Sequence, residues 1–185
     1  MKVLIGLGNP ENKYLSTRHN VGWQFLDYLA KKNRFPEFQE QKKFYALIAR
    51  KDDVWLIKPT TYMNDSGRAV RSFLHFYQSE LLQSSQTDFK NVAVIHDDLD
   101  IPIGGSKLQF GSGPKVHNGI NSIRDHLKTD QFWYGRVGVD GREGKRSEAG
   151  KDYVLQPFFV EEKEKLVQVF AELAEKLKRE LKLFR

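Results

Sequence analysis

The sequence predicts a single α/β domain over residues 1–185, with a mixed, mostly parallel central sheet flanked by helices on both faces. Segments with strand-like and helix-like periodicity alternate along the chain, which is typical of this fold class. Residues 92–95 form a continuous apolar run, as expected for a central strand covered on both faces. Two strand-like segments, at 44–50 and 54–58, follow each other directly, and this adjacency indicates a mixed sheet.

The first half of the chain contains both kinds of element. In chain order we predict a strand at 3–5, a helix at 19–32, paired strands at 44–50 and 54–58, and a helix at 64–77. The glycines of Gly6-Leu7-Gly8 end the first strand in a tight turn, and Asp52-Asp53 forms the turn between the paired strands. Asp65 or Ser66 is the candidate N-cap of the second helix.

The second half continues the alternation and ends in a long helix. We predict a surface loop at 83–88, strands at 92–95, 107–110 and 134–139, a helix at 118–127, a mobile basic segment at 141–151, and a helix from Glu161 onward. This last helix is amphipathic, and its apolar stripe consists of Leu166, Phe170, Leu173, Leu177 and Leu181. Its early glutamates and late basic residues suit the helix dipole.

Composition narrows the class of protein. Hydrophobic residues make up 39% and aromatic residues 12% of the chain, which favours a packed globular fold over disorder. Cysteine is absent, which excludes disulfides and thiolate metal sites. The N-terminal apolar run is too short for a signal peptide and no stretch reaches membrane-spanning length, so we expect a cytoplasmic protein with no membrane partner. Nothing resembles a coiled-coil seam, so we expect a monomer.

The chain is basic, with a net charge of +6 from 30 Lys and Arg against 24 Asp and Glu. A positive excess favours polyanionic partners, but an excess of this size is also common in proteins whose charge serves solubility alone. Lys107 and Arg136 fall on predicted strands near the candidate site, where basic side chains form a phosphate-binding edge or simply solvate the surface.

Several catalytic motifs are excluded. Gly6-Leu7-Gly8 follows the first strand, but Glu11 stands where the third glycine of a dinucleotide-binding fingerprint belongs. Three serines, at 66, 106 and 112, lack the flanking glycines of a hydrolase nucleophile elbow, and no thiol nucleophile exists. Water is therefore the expected nucleophile of any hydrolysis. Asn9 either presents its carboxamide to a ligand at the strand end or is an ordinary turn residue.

An acidic run, His96-Asp97-Asp98-Leu99-Asp100, follows the predicted central strand, where α/β proteins place functional groups. Its carboxylates would hold Mg²⁺ in one interpretation. In another, one carboxylate orients a histidine and raises its basicity. A plain solvated turn is the third interpretation. His19 and His117 each precede an asparagine at a loop-to-helix junction, which makes them the candidate histidines.

These segments together resemble the bacterial-type peptidyl-tRNA hydrolase family over nearly the whole chain. Four motifs carry the resemblance. The first is Gly6-Leu7-Gly8-Asn9-Pro10 with Tyr14 and Thr17-Arg18-His19-Asn20-Val21-Gly22, and the others are Lys58-Pro59-Thr60-Thr61-Tyr62-Met63-Asn64-Asp65-Ser66-Gly67, His96-Asp97-Asp98-Leu99-Asp100-Ile101-Pro102 and His117-Asn118-Gly119. Four motifs in the same order and spacing make a chance match implausible.

The resemblance implies hydrolysis of the ester between a peptide and the 3'-terminal ribose of tRNA, which recycles tRNA from stalled translation. It implies no cofactor and no metal, and it makes the tRNA acceptor end and the peptide the binding partners. His19 matches the base and Asp97 its orienting carboxylate, while Asn9 and Asn64 place substrate and water. The positions matching substrate-binding residues are Tyr14, Tyr62, Met63, His117 and Asn118; those on the tRNA side are Lys107 and Arg136.

The chain departs from the family pattern just before His117. The family usually has glycines there, whereas this chain has Gly111-Ser112-Gly113-Pro114-Lys115-Val116. Proline restricts φ and valine is branched, so the loop is stiffer than a glycine-rich one. An RNA-binding module without activity therefore stays open. A second alternative, which rests on the acidic run and not on this loop, is a Mg²⁺-dependent phosphohydrolase built on Asp97, Asp98 and Asp100.

Overall fold

The computed structural model describes residues 1–78, 88–114, 116–142 and 149–184. The predicted surface loop at 83–88 therefore lies outside the described residues except for Asp88. Lys115 and residues 143–148 of the predicted mobile segment also lie outside them.

Seven strands and five α-helices occur in the described residues. The strands are β1 (Lys2–Gly6), β2 (Gln39–Gln41), β3 (Ala46–Lys51), β4 (Val54–Pro59), β5 (Phe89–Pro102), β6 (Ser106–Phe110) and β7 (Phe132–Asp140). The helices are α1 (Val21–Lys32), α2 (Ser66–Tyr77), α3 (Asn118–Leu127), α4 (Gly150–Tyr153) and α5 (Val160–Leu181). Short 3-10 turns at Arg18–Asn20 and Met63–Asp65 precede α1 and α2.

The strands form one sheet in the order β2-β3-β4-β1-β5-β7-β6. The four inner strands β4, β1, β5 and β7 are parallel to one another. The outer strands attach antiparallel: β3 to β4, β2 to β3, and β6 to β7. The predicted fold class is confirmed, including the hairpin that made the sheet mixed. That hairpin turns at Asp52, which has a positive φ of 53°.

The central strand β5 is longer than predicted. The acidic run does not follow the strand but continues its parallel ladder with β7, in which Asp97 lies opposite Val137. The register of this ladder shifts between Phe89 and Ala93, before the acidic run, and again between Asp98 and Pro102. The run stays in the sheet because β7 supplies backbone partners and the polar side chains find partners of their own. The solvated-turn interpretation is wrong, since Asp97 and Asp98 are 4% and 3% exposed.

Helices cover both faces of the sheet. On one face α1 packs over β1 and β5, and α5 packs against α1 and over β6. The predicted α5 stripe is buried as expected: Leu166, Phe170, Leu173, Leu177 and Leu181. On the other face α2 and α3 pack in one apolar cluster with β1, β4 and β5. Asp65 precedes α2 as predicted, but its side chain makes no capping bond; Ser66 instead donates its hydroxyl to the carbonyl of Met63. None of the described helices has the length and apolarity to cross a membrane.

One glycine sets how closely α1 approaches the sheet. A Cβ at Gly22, in the first turn of α1, would lie 2.4 Å from the carbonyl oxygen of Ile95 and 2.5 Å from the backbone nitrogen of Leu7. Only glycine permits this contact. The turn that carries His19 is thereby held against the carboxyl ends of β1 and β5.

Candidate active site

A cleft of about 770 Å³ opens at the carboxyl ends of β1, β4 and β5, the usual ligand-binding edge of a parallel sheet. It brings together every residue that the sequence nominated for catalysis or for binding the substrate's acyl end. Those lining residues are Asn9, Tyr14, His19, Tyr62, Met63, Asn64, Asp97, His117 and Asn118. Segments that are distant in sequence thus form one pocket.

The position of His19 is held by its backbone as well as by its side chain. Its backbone N–H donates to the carbonyl of Val154 at 2.8 Å. The preceding residue, Arg18, donates its own backbone N–H to the carbonyl of Gln156 at 3.0 Å. The short turn at Arg18–Asn20 is therefore bonded to the chain that follows α4, and the imidazole is only 14% exposed.

The side chain of Arg18 also holds this turn in place. Its side chain is fully buried and donates from Nη2 to Oε2 of Glu162 at 2.7 Å. Nη1 donates to the carbonyl of Pro157 at 2.7 Å, and the guanidinium lies 4.2 Å from the ring centre of Tyr153. Buried charges require such pairing. The pair ties the residue next to His19 to the first turn of α5.

His117 is the N-cap of α3, and this fixes its tautomer. Its Nδ1 accepts hydrogen bonds from the backbone N–H groups of Gly119 at 3.1 Å and Ile120 at 3.3 Å. A nitrogen that accepts hydrogen bonds does not carry the ring proton, so the proton of the neutral ring resides on Nε2. Nε2 lies 2.9 Å from Oδ1 of Asp97 and donates to it.

Gly119 allows this cap to form. A Cβ at this position would lie 2.5 Å from the sulfur of Met63, 2.8 Å from Leu7 and 3.3 Å from the ring of His117. Glycine is therefore required for the first turn of α3 to pack against the loop after β4. The helix N-terminus, with its partial positive charge, approaches the Asp97 carboxylate through His117.

Asp97 accepts from both histidines through the same oxygen. Nδ1 of His19 lies 2.9 Å from Oδ1, as does Nε2 of His117. Because the carboxylate can only accept, His19 carries its proton on Nδ1, and its Nε2 keeps the lone pair. The centres of the His19 and His117 rings lie 5.2 Å apart. The arrangement is a carboxylate that orients one basic imidazole while a second imidazole, already capped, holds the carboxylate.

The electrostatics support a base at position 19. Burial of the His19 ring disfavours its charged form, but the charge and hydrogen bond of Asp97 outweigh burial and raise the pKa of His19 above its ordinary value. Burial alone would favour the neutral acid at Asp97, yet the two histidines hold the pKa of Asp97 well below its usual range. Asp97 is thus a permanent anion in the working pH range.

His96 adds a third imidazole behind the site. It is fully buried, its Nδ1 donates to the carbonyl of Asp97 at 2.8 Å, and its ring lies edge-on to that of His117 at 4.9 Å. Burial and the neighbouring His117 lower the pKa of His96 to about 3, so it stays neutral. It is a packing partner of the site.

Within the described chain, one cluster has the composition of a metal site: His19, Asp97 and His117, whose ligand atoms lie within 4.8 Å of one another. The tautomer of His117 argues against that use. Nε2 would have to lose its proton to bind a metal while Nδ1 still accepts two N–H groups, which requires an imidazolate. The carboxylates proposed for Mg²⁺ do not converge, because Asp98 instead accepts from Nε of Arg136 at 2.6 Å.

Asn9 is oriented by three hydrogen bonds. Its side-chain oxygen accepts from the backbone N–H of Met63 at 2.8 Å, which leaves its NH₂ group as the donor available to a ligand. The side chain of Asn20 accepts from the backbone N–H of Asn9 and donates to its carbonyl, both at 2.9 Å. Asn64 and Asn118, by contrast, are exposed on the rim of the cleft.

The two residues assigned to tRNA do not line the cleft. Lys107 on β6 lies opposite Arg136 on β7, at the sheet edge beyond β5. Lys107 is exposed, whereas Arg136 is 13% exposed and engages both Asp98 and, at 2.8 Å, the side-chain oxygen of Gln109. Lys107 is therefore the more accessible of the two cations.

Sequence reasoning missed part of the cleft wall. The lining residues that it did not nominate are Leu99, Val116, Gly150, Lys151, Val154 and Leu155. Leu99 lies within the acidic run and Val116 directly before His117, but sequence reasoning assigned a role to neither; the others belong to the chain around α4, where no motif was singled out. It also gave no role to Arg18 or Asn20, although both lie within a motif it singled out.

Known proteins resemble this chain closely. Residues 3–183 match the peptidyl-tRNA hydrolase family. The peptidyl-tRNA hydrolase of Coxiella burnetii is 39% identical over 157 residues, which cover 85% of this chain and 78% of that protein. That of Neisseria meningitidis is 42% identical over 151 residues, which cover 80% and 73%. The crystal structure of peptidyl-tRNA hydrolase from Acinetobacter baumannii matches with a TM-score of 0.84 at 29% identity, covering 98% of this chain and 89% of that one.

Proposed function

This chain belongs to the peptidyl-tRNA hydrolase family and is a hydrolase, and from that premise we propose that it cleaves the ester joining peptide to 3'-terminal ribose in peptidyl-tRNA. In this proposal a water molecule deprotonated by His19 is the nucleophile. The observation that carries the mechanism is the double hydrogen bond to Oδ1 of Asp97, which leaves the lone pair of His19 on Nε2.

The reaction needs no covalent intermediate. Nε2 of His19 takes a proton from water as the water oxygen bonds to the ester carbonyl carbon. The imidazolium that forms is stabilised by the anionic Asp97 at 2.9 Å. As the tetrahedral intermediate collapses, the bond from carbon to the ribose oxygen breaks, and that oxygen receives the proton from His19. The products are a free peptide and a tRNA.

The asparagines supply the polar contacts of the reaction. The NH₂ group of Asn9 points to a ligand because its oxygen is held by Met63, and it is suited to donate to the developing oxyanion or to hold the water. Asn64 places substrate and water from the opposite loop. Asn118, at the start of α3, stabilises the oxyanion or binds the peptide backbone. Amide groups bind a backbone without demanding a particular side chain, as a variable peptide requires.

The RNA part of the substrate is assigned to the sheet edge. Lys107 is exposed there and Arg136 lies beside it, so phosphates of the acceptor end would contact this edge while the peptide enters the cleft. Contacts of this type position a nucleic acid without reading its sequence, which fits a substrate class that includes many tRNAs.

Hydrolysis of a defined substrate tests the proposal. Purified protein is incubated with N-acetyl-aminoacyl-tRNA and with the free aminoacyl-tRNA, with and without EDTA. We expect cleavage of the N-acetyl-aminoacyl-tRNA only, at a rate unchanged by EDTA. We also expect loss of nearly all turnover in His19→Ala. His75→Ala is the matched control, because His75 is exposed on α2 away from the cleft.

Three results would contradict the proposal. Turnover by His19→Ala at the rate of the unaltered protein would remove His19 from the mechanism. Binding of the RNA without cleavage would favour the RNA-binding module instead, and loss of cleavage on chelation would return the Mg²⁺-dependent alternative.

A further inference from the structure

The cleft is lined on part of its wall by aliphatic side chains that the reaction does not use. They are Leu99, Val116, Val154 and Leu155. Leu99 lies on β5 two residues beyond Asp97 and packs against the start of α4, where a Cβ at Gly150 would lie 2.8 Å from Cδ1 of Leu99. We call these four residues the aliphatic wall.

Two members of the aliphatic wall keep much of their apolar surface in contact with solvent. Val116 is 82% exposed and Leu155 is 43% exposed. Exposed apolar groups that line a concave site indicate a surface that becomes covered when a ligand binds. Val116 directly precedes His117, and the ring of His117 is 5.2 Å from that of His19. Val116 and His19 line the same cleft, so a group bound against Val116 shares that cleft with the reacting carbonyl.

The small number of charged side chains in the cleft also favours an apolar ligand. Besides the hydrogen-bonded His19, Asp97 and His117, the described lining residues include one charged side chain, Lys151. A polar substrate side chain placed on the aliphatic wall would lose water without gaining a partner, and that desolvation is unfavourable. An apolar side chain would gain burial instead.

We propose that the aliphatic wall binds the side chain of the ester-linked amino acid, and that Val116 is a specificity-determining residue that favours peptidyl-tRNAs ending in an apolar amino acid. The inference rests on the proposed function, since it names a preferred substrate class for the same site. It does not concern the amide groups, which contact the peptide backbone and accept any sequence.

The test compares two substrates on one tRNA body, so that all RNA contacts are equal. One carries N-acetyl-leucine and the other N-acetyl-asparagine, which have the same branching but differ in polarity. We expect a higher kcat/KM for the leucyl substrate in the unaltered protein. In Val116→Thr, which keeps the shape and removes one apolar methyl group, the preference falls by about three- to fourfold. Val167→Thr is the control, since Val167 is 62% exposed on α5 and does not line the cleft.

Equal kcat/KM for the two substrates in the unaltered protein, or an unchanged preference in Val116→Thr, overturns the inference. A second measurement separates it from the proposed function. Adenosine analogues that carry the same acyl groups through a 3'-amide are not hydrolysed, and their affinities are measured by calorimetry. Preferential binding of the leucyl analogue that Val116→Thr weakens supports the aliphatic wall even without ester cleavage. Equal affinities overturn it even in an active hydrolase.

Discussion

Replacement of His117 separates its two roles, the helix cap and the hydrogen bond to Asp97. In His117→Asn the side-chain oxygen occupies the position of Nδ1, so it still caps α3, but no atom reaches as far as Nε2. In His117→Ala both roles are lost. Loss of a hydrogen bond to an ionised carboxylate costs about 1.5–3 kcal/mol, and loss of a cap costs about 1 kcal/mol more. We therefore expect the alanine variant to be the less stable by about 1 kcal/mol.

Both variants, His117→Asn and His117→Ala, should change the pKa of His19 by the same amount. Removing the Nε2–H donor leaves Asp97 more basic, which raises the pKa of His19 further. The acidic limb of kcat/KM should move to higher pH by the same amount in both. Urea unfolding and pH–rate profiles measure the two effects, with His75→Asn and His75→Ala as surface controls expected to agree within about 0.5 kcal/mol. Equal stabilities would refute the cap, and an unmoved limb would refute the shared acceptor.

Three further predictions follow from other contacts of the site. Arg18→Met leaves Glu162 buried without its partner and should lower the free energy of unfolding in urea by about 3–5 kcal/mol. Adding Glu162→Gln to the same chain should restore part of that stability, and a loss near zero in Arg18→Met would contradict the pairing. Asn9→Asp keeps the acceptor for Met63 but removes the donor. The single-turnover rate constant should therefore fall by about 10²–10³-fold while the protein stays folded; an unchanged rate constant would exclude Asn9 as that donor. Lys107→Gln should weaken tRNA binding and reduce its salt dependence by about one phosphate contact; an unchanged slope in binding titrations would move the RNA elsewhere.

Local patterns predicted most of the fold because periodicity is a local property. The helix expected at 118–127 is α3 with the same bounds, and the stripe from Leu166 to Leu181 is buried as its spacing required. The length of β5 was not predictable in this way. A run of histidine and aspartates resembles a solvated turn until β7 and Arg136 are placed beside it.

The site was predictable where its residues lie in motifs and unpredictable where they meet through tertiary contacts. Arg18 and Glu162 are 144 residues apart, and nothing local distinguishes this buried arginine from an exposed one. The proton position on His117 likewise depends on the helix that begins after it. Leu99 and Val116 stand beside motif residues, but leucines and valines are common core residues, so nothing local distinguished the four residues of the aliphatic wall from ordinary core positions.

The departure before His117 has a concrete structural outcome. Gly111 adopts a positive φ of 64°, which a glycine readily permits, while Pro114 is buried and Val116 is turned outward. The stiff residues expected to alter the loop thus leave His117 capped and bonded to Asp97. Their visible consequence is an apolar group at the rim of the cleft.

The most direct test of water activation by His19 compares two titrations of the unaltered protein. One is the pH dependence of kcat/KM on N-acetyl-aminoacyl-tRNA, and the other is the imidazole titration of His19 followed by NMR and assigned with His19→Gln. Both should give one pKa above the ordinary histidine value, with activity rising as the proton leaves, and both should move to lower pH in Asp97→Asn, where burial acts alone. Activity that is indifferent to the ionisation of His19, or that rises as His19 becomes protonated, would contradict its role as the base.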